Sequence, residues 1–200
     1  MTWVSLAMNQ TGNRTPDQGP AVTRTTLYRG AKFDFELVRY PGRGGTTLER
    51  QIIRHPGAVV ILPLLREPGR DEVRIVLIRN HRIPAGTHLL ELPAGTREPG
   101  EPPEVTAGRE LVEETGYRAA KITPLGSYYT SPGLSDELMW AFVATGLEPA
   151  GQDLEDDERI TVEVVTGSEL GTLIDRGEMQ DAKSMLTVLW AVRKGLLTGV

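Results

Sequence analysis

The segment Gly95–Tyr117, with the sequence GTREPGEPPEVTAGRELVEETGY, decides how this chain is interpreted. Residues 104–115 have a helical pattern, because two prolines precede them and Gly116 follows them, as at the entrance and the exit of a helix. Ala107 and Leu111 lie four positions apart and would form the apolar stripe that packs on a core. The sequence therefore predicts a helix over residues 104–115.

Three glutamates share one face of this predicted helix. Glu110, Glu113 and Glu114 stand at positions i, i+3 and i+4, so their carboxylates are neighbours. Each like-charge pair destabilises an isolated helix by about 0.2–0.5 kcal/mol, and the nearby Arg109 cannot neutralise three carboxylates. The patch is therefore either an acidic face held in water or a site for a divalent cation. Oxygen ligands alone suit Mg²⁺ or Mn²⁺ rather than zinc.

The composition sets limits on the function. The chain has 200 residues, which suits one domain with a short accessory piece, and its formal net charge of −5 argues against nucleic acid as a partner. It contains no cysteine, and its three histidines lack the spacing of zinc ligands. No run is long and apolar enough to span a bilayer. We therefore expect a cytoplasmic protein without nucleic-acid or membrane partners.

Short β-branched runs predict a sheet around this helix. Two strands are expected to flank a turn at 41–45, and further strands are expected at 58–65, 74–80, 125–130, 138–147 and 160–165. Two helices close the chain, with Ser168 and Asp181 as their candidate N-caps. The second of these helices would bury Met185, Leu186 and Leu189. The pattern indicates one mixed α/β domain.

The spacing of the whole segment carries a family resemblance. Glu101 follows Gly95 after five residues, and seven more residues lead to the run that begins at Arg109. Every fixed position is filled, and the segment resembles the Nudix box of the Nudix hydrolases. The resemblance implies the Nudix fold, an α/β/α sandwich with a mixed sheet, whose box is a loop–helix–loop that binds metal. It also implies hydrolysis of a nucleoside diphosphate linked to another moiety, with Mg²⁺ or Mn²⁺ as cofactor.

The same resemblance implies roles for the residues of the box. The implied metal ligands are Glu110, Glu113, Glu114 and the backbone carbonyl of Ala94, with Glu110 and Glu114 as the main ones. Arg109 would orient these carboxylates by pairing with Glu101. In a subfamily that further stretches of this chain resemble, a glutamate on a later loop takes the proton from the attacking water. Here that loop is DLEDDERI (153–160), in which Glu158 aligns best and Glu155 and Asp157 are alternatives.

Four further stretches resemble the ADP-ribose pyrophosphatases. The loop SPGLSDE places Pro132 fifteen residues after Tyr117, like the proline-bearing loop of that subfamily. The other three stretches are TLYRG (26–30), ELPAG (91–95) and RGEMQDAKSMLTVLW (176–190). In the subfamily an N-terminal β region exchanges between the subunits of a homodimer, and substrate binds near the interface. The implied organisation is a flexible tail over 1–22, an N-terminal β region for dimerisation over 23–55 and a Nudix hydrolase domain over 56–200.

Candidate substrate contacts follow from the matching positions. Tyr28 is a candidate for stacking on adenine, while Arg50 and Arg82 are candidates for contacting the base or the diphosphate, to which a guanidinium can donate paired hydrogen bonds. Glu91 matches a position that contacts substrate or a metal-bound water. The structural alternatives are a half-buried strand tyrosine, two surface arginines and a strand-edge carboxylate. His81 stands where family members often have an aromatic residue, which leaves the base contacts open.

The resemblance as a whole implies hydrolysis of ADP-ribose to AMP and ribose 5-phosphate. Two alternatives stay open at this point. One is hydrolysis of another nucleoside diphosphate sugar, such as GDP-mannose. The other is a binding module that senses ADP-ribose without cleaving it. The intact glutamates of the box favour an enzyme over the sensor.

Overall fold

The computed structural model describes residues 22–66, 69, 72–154 and 159–200. These residues form two compact units, one of residues 22–55 with Ser131–Asp136 and one of Pro56–Thr130 with Glu137–Val200. The strands are β1 (Thr23–Arg29), β2 (Asp34–Pro41), β3 (Thr47–Arg54), β4 (Ala58–Arg66), β5 (Val73–Arg82), β6 (Thr87–Glu91), β7 (Ala94–Thr96), β8 (Tyr117–Tyr129), β9 (Leu138–Pro149) and β10 (Ile160–Thr166). The helices are α1 (Pro103–Thr115), α2 (Gly167–Asp175) and α3 (Ala182–Arg193). In this described part, no helix is long and apolar enough to cross a membrane.

The first unit is a three-stranded antiparallel sheet in the order β1-β2-β3. The predicted pair of strands around a turn is confirmed, since β2 and β3 are joined by a 3-10 turn at Arg43–Gly45. Gly44 has a φ of 71°, a left-handed conformation that glycine adopts without steric strain. The segment 131–136 joins this unit through β3, because the Ile53 N–H donates to the Leu134 carbonyl at 3.0 Å. The predicted tail lies, apart from Val22, outside the described residues.

The second unit is built on a seven-stranded mixed sheet. Its main path runs β10-β5-β4-β9-β8, while β6 extends β5 and β7 pairs with the first residues of β4. The β4–β9 pair is parallel and the other pairs are antiparallel. The predicted strands are confirmed, although β8 begins eight residues earlier than predicted, at Tyr117 instead of Leu125. Strand β7 therefore lies beside β4, whose residues 58–65 are all buried.

Helices cover both faces of this sheet. Side chains alternate along β4, so Val59 and Ile61 pack with Ala107 and Leu111 of α1. On the opposite face, the buried residues of β4 pack with those of α2 and α3; these are Val60, Leu62, Leu64, Leu170, Val188 and Ala191. The three layers form the α/β/α sandwich with a mixed sheet that the box resemblance implies.

The predicted box helix is confirmed. It runs from Pro103 to Thr115, and Gly116 follows it in a left-handed conformation with φ of 72°. The Gly116 N–H closes the helix by donating to the Val112 carbonyl at 2.8 Å. Ala107 and Leu111 are fully buried, as their spacing predicts. The apolar side of α1 therefore fixes which way its glutamates face.

Two predictions on the last helices were wrong. Thr166, not Ser168, caps α2, and it forms a capping box in which its hydroxyl accepts from the Glu169 N–H while the Glu169 carboxylate accepts from the Thr166 N–H. Leu189 was expected in the core of α3 but is 54% exposed, because the helix buries Thr187 and Val188 instead. Asp181 caps α3 as predicted, accepting from the Ser184 N–H at 3.0 Å.

Candidate active site

The carboxylates of α1 lie against strand β7. Glu110 and Glu114 are buried, and the Ala94 N–H donates to Glu114 Oε2 at 2.7 Å. A Cβ atom added at Gly95 would lie 1.9 Å from the Glu110 carboxyl carbon, so only glycine fits with the carboxylate in this place. The loop and the helix of the box thus meet through these two backbone positions.

Arg109 joins the acidic residues of the segment. Its Nη1 donates to Glu110 Oε1 and Glu113 Oε2, both at 2.8 Å. Its Nε and Nη2 donate to the two carboxylate oxygens of Glu101, both at 3.1 Å, which is the pairing that the sequence predicts. Hydrogen bonding to Arg109 lowers the pKa of Glu101 to about 2, and the same bond raises the pKa of Arg109. The arginine thereby holds the carboxylates in one arrangement.

The donor set of this patch fits a hard divalent cation. Its donors are carboxylate oxygens, which Mg²⁺ and Mn²⁺ prefer, and the missing side chain of Gly95 leaves room for the Glu110 carboxylate. Within the described ranges, no three Asp, Glu, His or Cys side chains already stand close enough to hold an ion. Arg109 instead supplies the positive charge beside Glu110 and Glu113 in this structure. The assignment of these residues as metal ligands therefore stays a prediction.

A cavity of about 430 Å³ opens in the second unit. Strand β7 contributes Ala94, Gly95 and Thr96 to its wall. Charged side chains in the wall are Arg82, Glu137, Asp181 and Lys183. Strand β7 therefore contacts the carboxylates of α1 and also lines the cavity.

A buried carboxylate holds two cations at this cavity. Glu91, at the end of β6, is 1% exposed and accepts two hydrogen bonds from Arg82, at 2.7 and 2.6 Å, and one from Lys183 Nζ at 2.5 Å. Burial alone would raise the pKa of Glu91, but hydrogen bonds and charges from Arg82 and Lys183 outweigh it, and the pKa lies below its ordinary value. The hydrogen bond to Glu91 in turn raises the pKa of Arg82. Glu91 is therefore ionised at neutral pH.

Comparison with known proteins identifies the family of this chain. The family model described as "NUDIX domain" matches residues 54–188. This chain belongs to the Nudix family. It is 34% identical over 178 residues to an ADP-ribose pyrophosphatase of Bacillus subtilis, covering 88% of this chain and 94% of that protein. It is 36% identical over 162 residues to the methanol dehydrogenase activator of Bacillus methanolicus, covering 80% of this chain and 84% of that protein.

A solved structure shares the fold. The crystal structure of an ADP compounds hydrolase superposes with a TM-score of 0.74 and 23% sequence identity, covering 92% of this chain and 97% of the other. The predicted Nudix fold is thus confirmed, and the chain is a Nudix hydrolase that acts on pyrophosphate bonds. The segment from Gly95 to Tyr117 is its Nudix box.

The remaining site residues predicted from the sequence are distributed unequally. Arg82 lies in the cavity wall, and Glu91 lies behind it. Tyr28, Arg50 and Pro132 belong to the first unit and are exposed, with Arg50 Nε donating to the Tyr40 hydroxyl at 2.8 Å. The candidate bases Glu155, Asp157 and Glu158 lie outside the described residues. The second unit of this Nudix hydrolase thus gathers the box and Arg82, while the assigned roles stay predictions.

Sequence reasoning missed Lys183. This lysine lies in the first turn of α3, where the partial positive charge of the helix N-terminus disfavours a cation. Its Nζ contacts Glu91 at 2.5 Å and Asp181 at 3.0 Å, so two carboxylates offset that disadvantage. A lysine two residues after a helix cap is the signal in the sequence that could have identified it.

Proposed function

We propose that this Nudix hydrolase cleaves the diphosphate of ADP-ribose with water and releases AMP and ribose 5-phosphate. The observation that carries the proposal is the position of β7, which contacts the box glutamates and also lines a cavity with Arg82 and Lys183 in its wall. A diphosphate seated in that cavity would lie beside the oxygen ligands of the box. The similarity to the ADP-ribose pyrophosphatase of Bacillus subtilis supports ADP-ribose as the substrate.

The box residues would hold the cofactor. A bound Mg²⁺ or Mn²⁺ neutralises phosphate charge, aligns the phosphates and makes water more acidic. Glu110, Glu114, Glu113 and the Ala94 carbonyl are the proposed ligands, with Arg109 orienting the carboxylates through its bonds to Glu101. Because Glu101 keeps a low pKa, this support stays charged throughout the neutral range.

The bond changes of the proposed reaction are simple. The oxygen of water bonds to one phosphorus while the bridging oxygen leaves with the other phosphate, and one proton of the water passes to a base. Glu158 is the proposed base, with Glu155 and Asp157 as alternatives, because a carboxylate within hydrogen-bond reach can take that proton. The hydroxyl group of the water stays on the attacked phosphorus, and the proton taken by the base passes on to the leaving phosphate or to solvent.

Further residues are proposed to recognise the substrate. Arg82 would contact the diphosphate, and Glu91 would hold Arg82 in place through two hydrogen bonds. Tyr28 is proposed to stack on adenine, Arg50 to contact the base or the diphosphate, and Pro132 to contact the substrate, as the subfamily resemblance implies. A homodimer that exchanges the β region over 23–55 is part of this proposal. The cytoplasm stays the expected compartment, on the basis of the cysteine-free composition.

The test is product release from a panel of diphosphates with Mg²⁺. The panel contains ADP-ribose, GDP-mannose, ADP-glucose, NADH and diadenosine polyphosphates. Glu114→Gln keeps the size of a proposed ligand and removes its charge, and Glu104→Gln makes the same change at an exposed position of α1. We expect preferred turnover of ADP-ribose that requires the metal, is lost in Glu114→Gln and persists in Glu104→Gln.

The other outcomes are informative. Preferred turnover of a different member of the panel would keep the metal-dependent chemistry and reject ADP-ribose as the substrate. Binding of ADP-ribose without turnover of any member would support a sensor instead of an enzyme. Equal loss of activity in both glutamine variants would reject the special role of Glu114.

A further inference from the structure

Two cations in the cavity wall keep hydrogen-bond donors that the described residues do not use. Arg82 donates hydrogen bonds to Glu91 through Nε and through one hydrogen of Nη2. Its Nη1 group donates to no side chain or carbonyl of the described residues. Lys183 Nζ carries three N–H groups and contacts two carboxylates, those of Glu91 and Asp181. Both side chains line the same cavity. Each can therefore donate to a ligand without giving up its present partners.

The charges of this corner are paired. Arg82 and Lys183 share the buried Glu91, and Lys183 is also paired with Asp181. The two carboxylates in the cavity wall already accept hydrogen bonds: Asp181 Oδ2 accepts from the Ser184 hydroxyl at 2.5 Å, and Glu137 Oε2 accepts from the Thr130 hydroxyl at 2.5 Å. An anion that enters the cavity would therefore be held by hydrogen bonds from the two cations, not by an excess of positive charge.

The two cations are also held in place before any ligand arrives. Glu91 is 1% exposed, and it anchors both the planar guanidinium of Arg82 and the ammonium of Lys183. Fixing long side chains in the binding conformation removes part of the entropy that binding would otherwise lose. The α3 backbone contributes to this, because the Lys183 carbonyl accepts from the hydroxyl of the half-buried Tyr128 at 3.2 Å.

We propose that Lys183 and Arg82 together form a two-point subsite for a phosphate group of the substrate, with Glu91 as the positioning residue that aligns both. The proposal rests on the proposed function for the identity of the substrate, but the subsite itself is defined by the cavity. A guanidinium offers paired donors and an ammonium a compact charge, and phosphate oxygens accept both. Ala94 and Gly95 in the same wall place this subsite next to the box.

The test compares a charged and a neutral ligand. The charged one is ADP-ribose with a methylene group in place of the bridging oxygen, which cannot be hydrolysed at that position. The neutral one carries a bis(sulfonyl)methylene bridge instead of the two phosphates. Dissociation constants are measured by calorimetry or ligand-observed NMR, in Mg²⁺, for the wild type, Lys183→Gln, Lys183→Arg and the control Lys121→Gln. Lys121 is an exposed lysine of β8 outside the cavity wall.

We expect Lys183→Gln to weaken the charged ligand by about tenfold to a hundredfold, the size of one charge-assisted hydrogen bond. The neutral ligand should change by less than about twofold, Lys183→Arg should recover most of the loss, and Lys121→Gln should change neither ligand. Glu91→Gln should also weaken the charged ligand selectively, because it releases both cations. Equal losses for the two ligands would mean that Lys183 only maintains the shape of the cavity, and would overturn the proposal.

Inorganic pyrophosphate separates this proposal from the proposed function. If the wild type binds pyrophosphate and Lys183→Gln weakens that binding about tenfold, the subsite stands even where no ADP-ribose analogue binds. That result would reject ADP-ribose while keeping the phosphate subsite. A wild type that binds neither the charged analogue nor pyrophosphate would overturn the subsite itself.

Discussion

At the scale of single residues, Gly95 is the described glycine at which an added Cβ atom would come closest to another atom. A methyl group there would overlap the Glu110 carboxylate, whose atoms lie 1.9–2.2 Å from the ideal Cβ position. In Gly95→Ala the carboxylate must therefore move away from β7. We expect the chain to fold and the kcat for ADP-ribose to fall about a hundredfold, because small displacements of positioning groups have effects of that size. Steady-state kinetics together with a thermal melt would measure both.

Gly108→Ala is the matched control for this prediction. Gly108 is also in the Nudix box, but a methyl group at this position would meet only Ile122 Cδ1 at 3.5 Å, an ordinary contact distance. Replacing a glycine inside a helix by alanine stabilises the helix by about 0.5–1 kcal/mol. Activity should therefore persist in Gly108→Ala. Comparable activity in the two alanine variants would show that the position of Glu110 against β7 does not matter.

The ion pair of Glu101 with Arg109 makes a prediction about stability and pH. Hydrogen bonding to Arg109 lowers the pKa of Glu101 from 4.5 to about 2 in the folded chain. A depressed folded pKa contributes stability that is fully present above about pH 4.5 and is lost as the pH falls through about 2. The difference in unfolding free energy between the wild type and Glu101→Gln should be largest at neutral pH and should shrink over that window.

Urea unfolding followed by circular dichroism, from about pH 7 to about pH 2.5, would measure this difference. Other carboxylates titrate in the same range, so the variant is compared with the wild type at each pH. Glu104→Gln, at an exposed position of α1, should give a small difference at every pH. A difference for Glu101→Gln that stays constant from neutral to acid pH would contradict the assigned ion pair.

At the scale of elements, the start of α2 gives a stability prediction. The Thr166 hydroxyl accepts from the Glu169 N–H at 3.2 Å, and the Glu169 carboxylate accepts from the Thr166 N–H at 2.7 Å. Thr166→Ala removes one bond of this capping box and should lower the free energy of unfolding by about 1 kcal/mol. Ser168→Ala, two residues further on, should change it by less than about 0.5 kcal/mol. The midpoints of urea unfolding, compared at an unchanged dependence of the unfolding free energy on urea, would measure both changes. Equal losses of stability in Thr166→Ala and Ser168→Ala would reject Thr166 as the cap.

The elements that the sequence predicted are those whose signals are local. The box helix has proline before it, glycine after it and an apolar stripe at Ala107 and Leu111, so its bounds follow from neighbours in the sequence. The first half of β8 lacks such a signal, because it lies at the sheet edge and exposes Arg118 and Lys121. It is a strand because its backbone pairs with β9, and its side-chain pattern does not predict that pairing.

In the site, too, the sequence predicted only the contacts between residues that are close in the chain. The box residues lie within twenty-three positions of one another, and their spacing on a loop and a helix predicted which carboxylates share a face. Lys183 meets Glu91 across 92 positions, because the sheet brings β6 next to the start of α3. Leu189 was assigned to the core because helical periodicity alone does not say which apolar residues of α3 the sheet covers. Long-range packing decided both.

At the scale of the whole molecule, the first unit has an exposed apolar surface within the described part of the chain. It consists of large apolar side chains on and beside the three-stranded sheet, namely Val22, Leu27, Tyr28, Phe33, Phe35 and Leu48. Exposed apolar groups that cluster on a small sheet are typical of an interaction surface. A second copy of the chain is the proposed occupant, since the subfamily resemblance implies exchange of this region in a homodimer.

The last prediction tests that homodimer. Light scattering on a sizing column should give about twice the chain mass of 21.9 kDa for the wild type. The double variant Leu27→Asp/Leu48→Asp adds two charges to the apolar sheet surface and should elute as a monomer with its circular dichroism unchanged, because both side chains are exposed in the single chain. Val105→Asp, at an exposed apolar position of α1, should stay dimeric.

If Tyr28 and Arg50 reach substrate through the exchanged region, the monomer should also show a raised KM for ADP-ribose. A wild type that is monomeric at every concentration, or a double variant that keeps the dimer mass, would exclude this surface as the dimer interface.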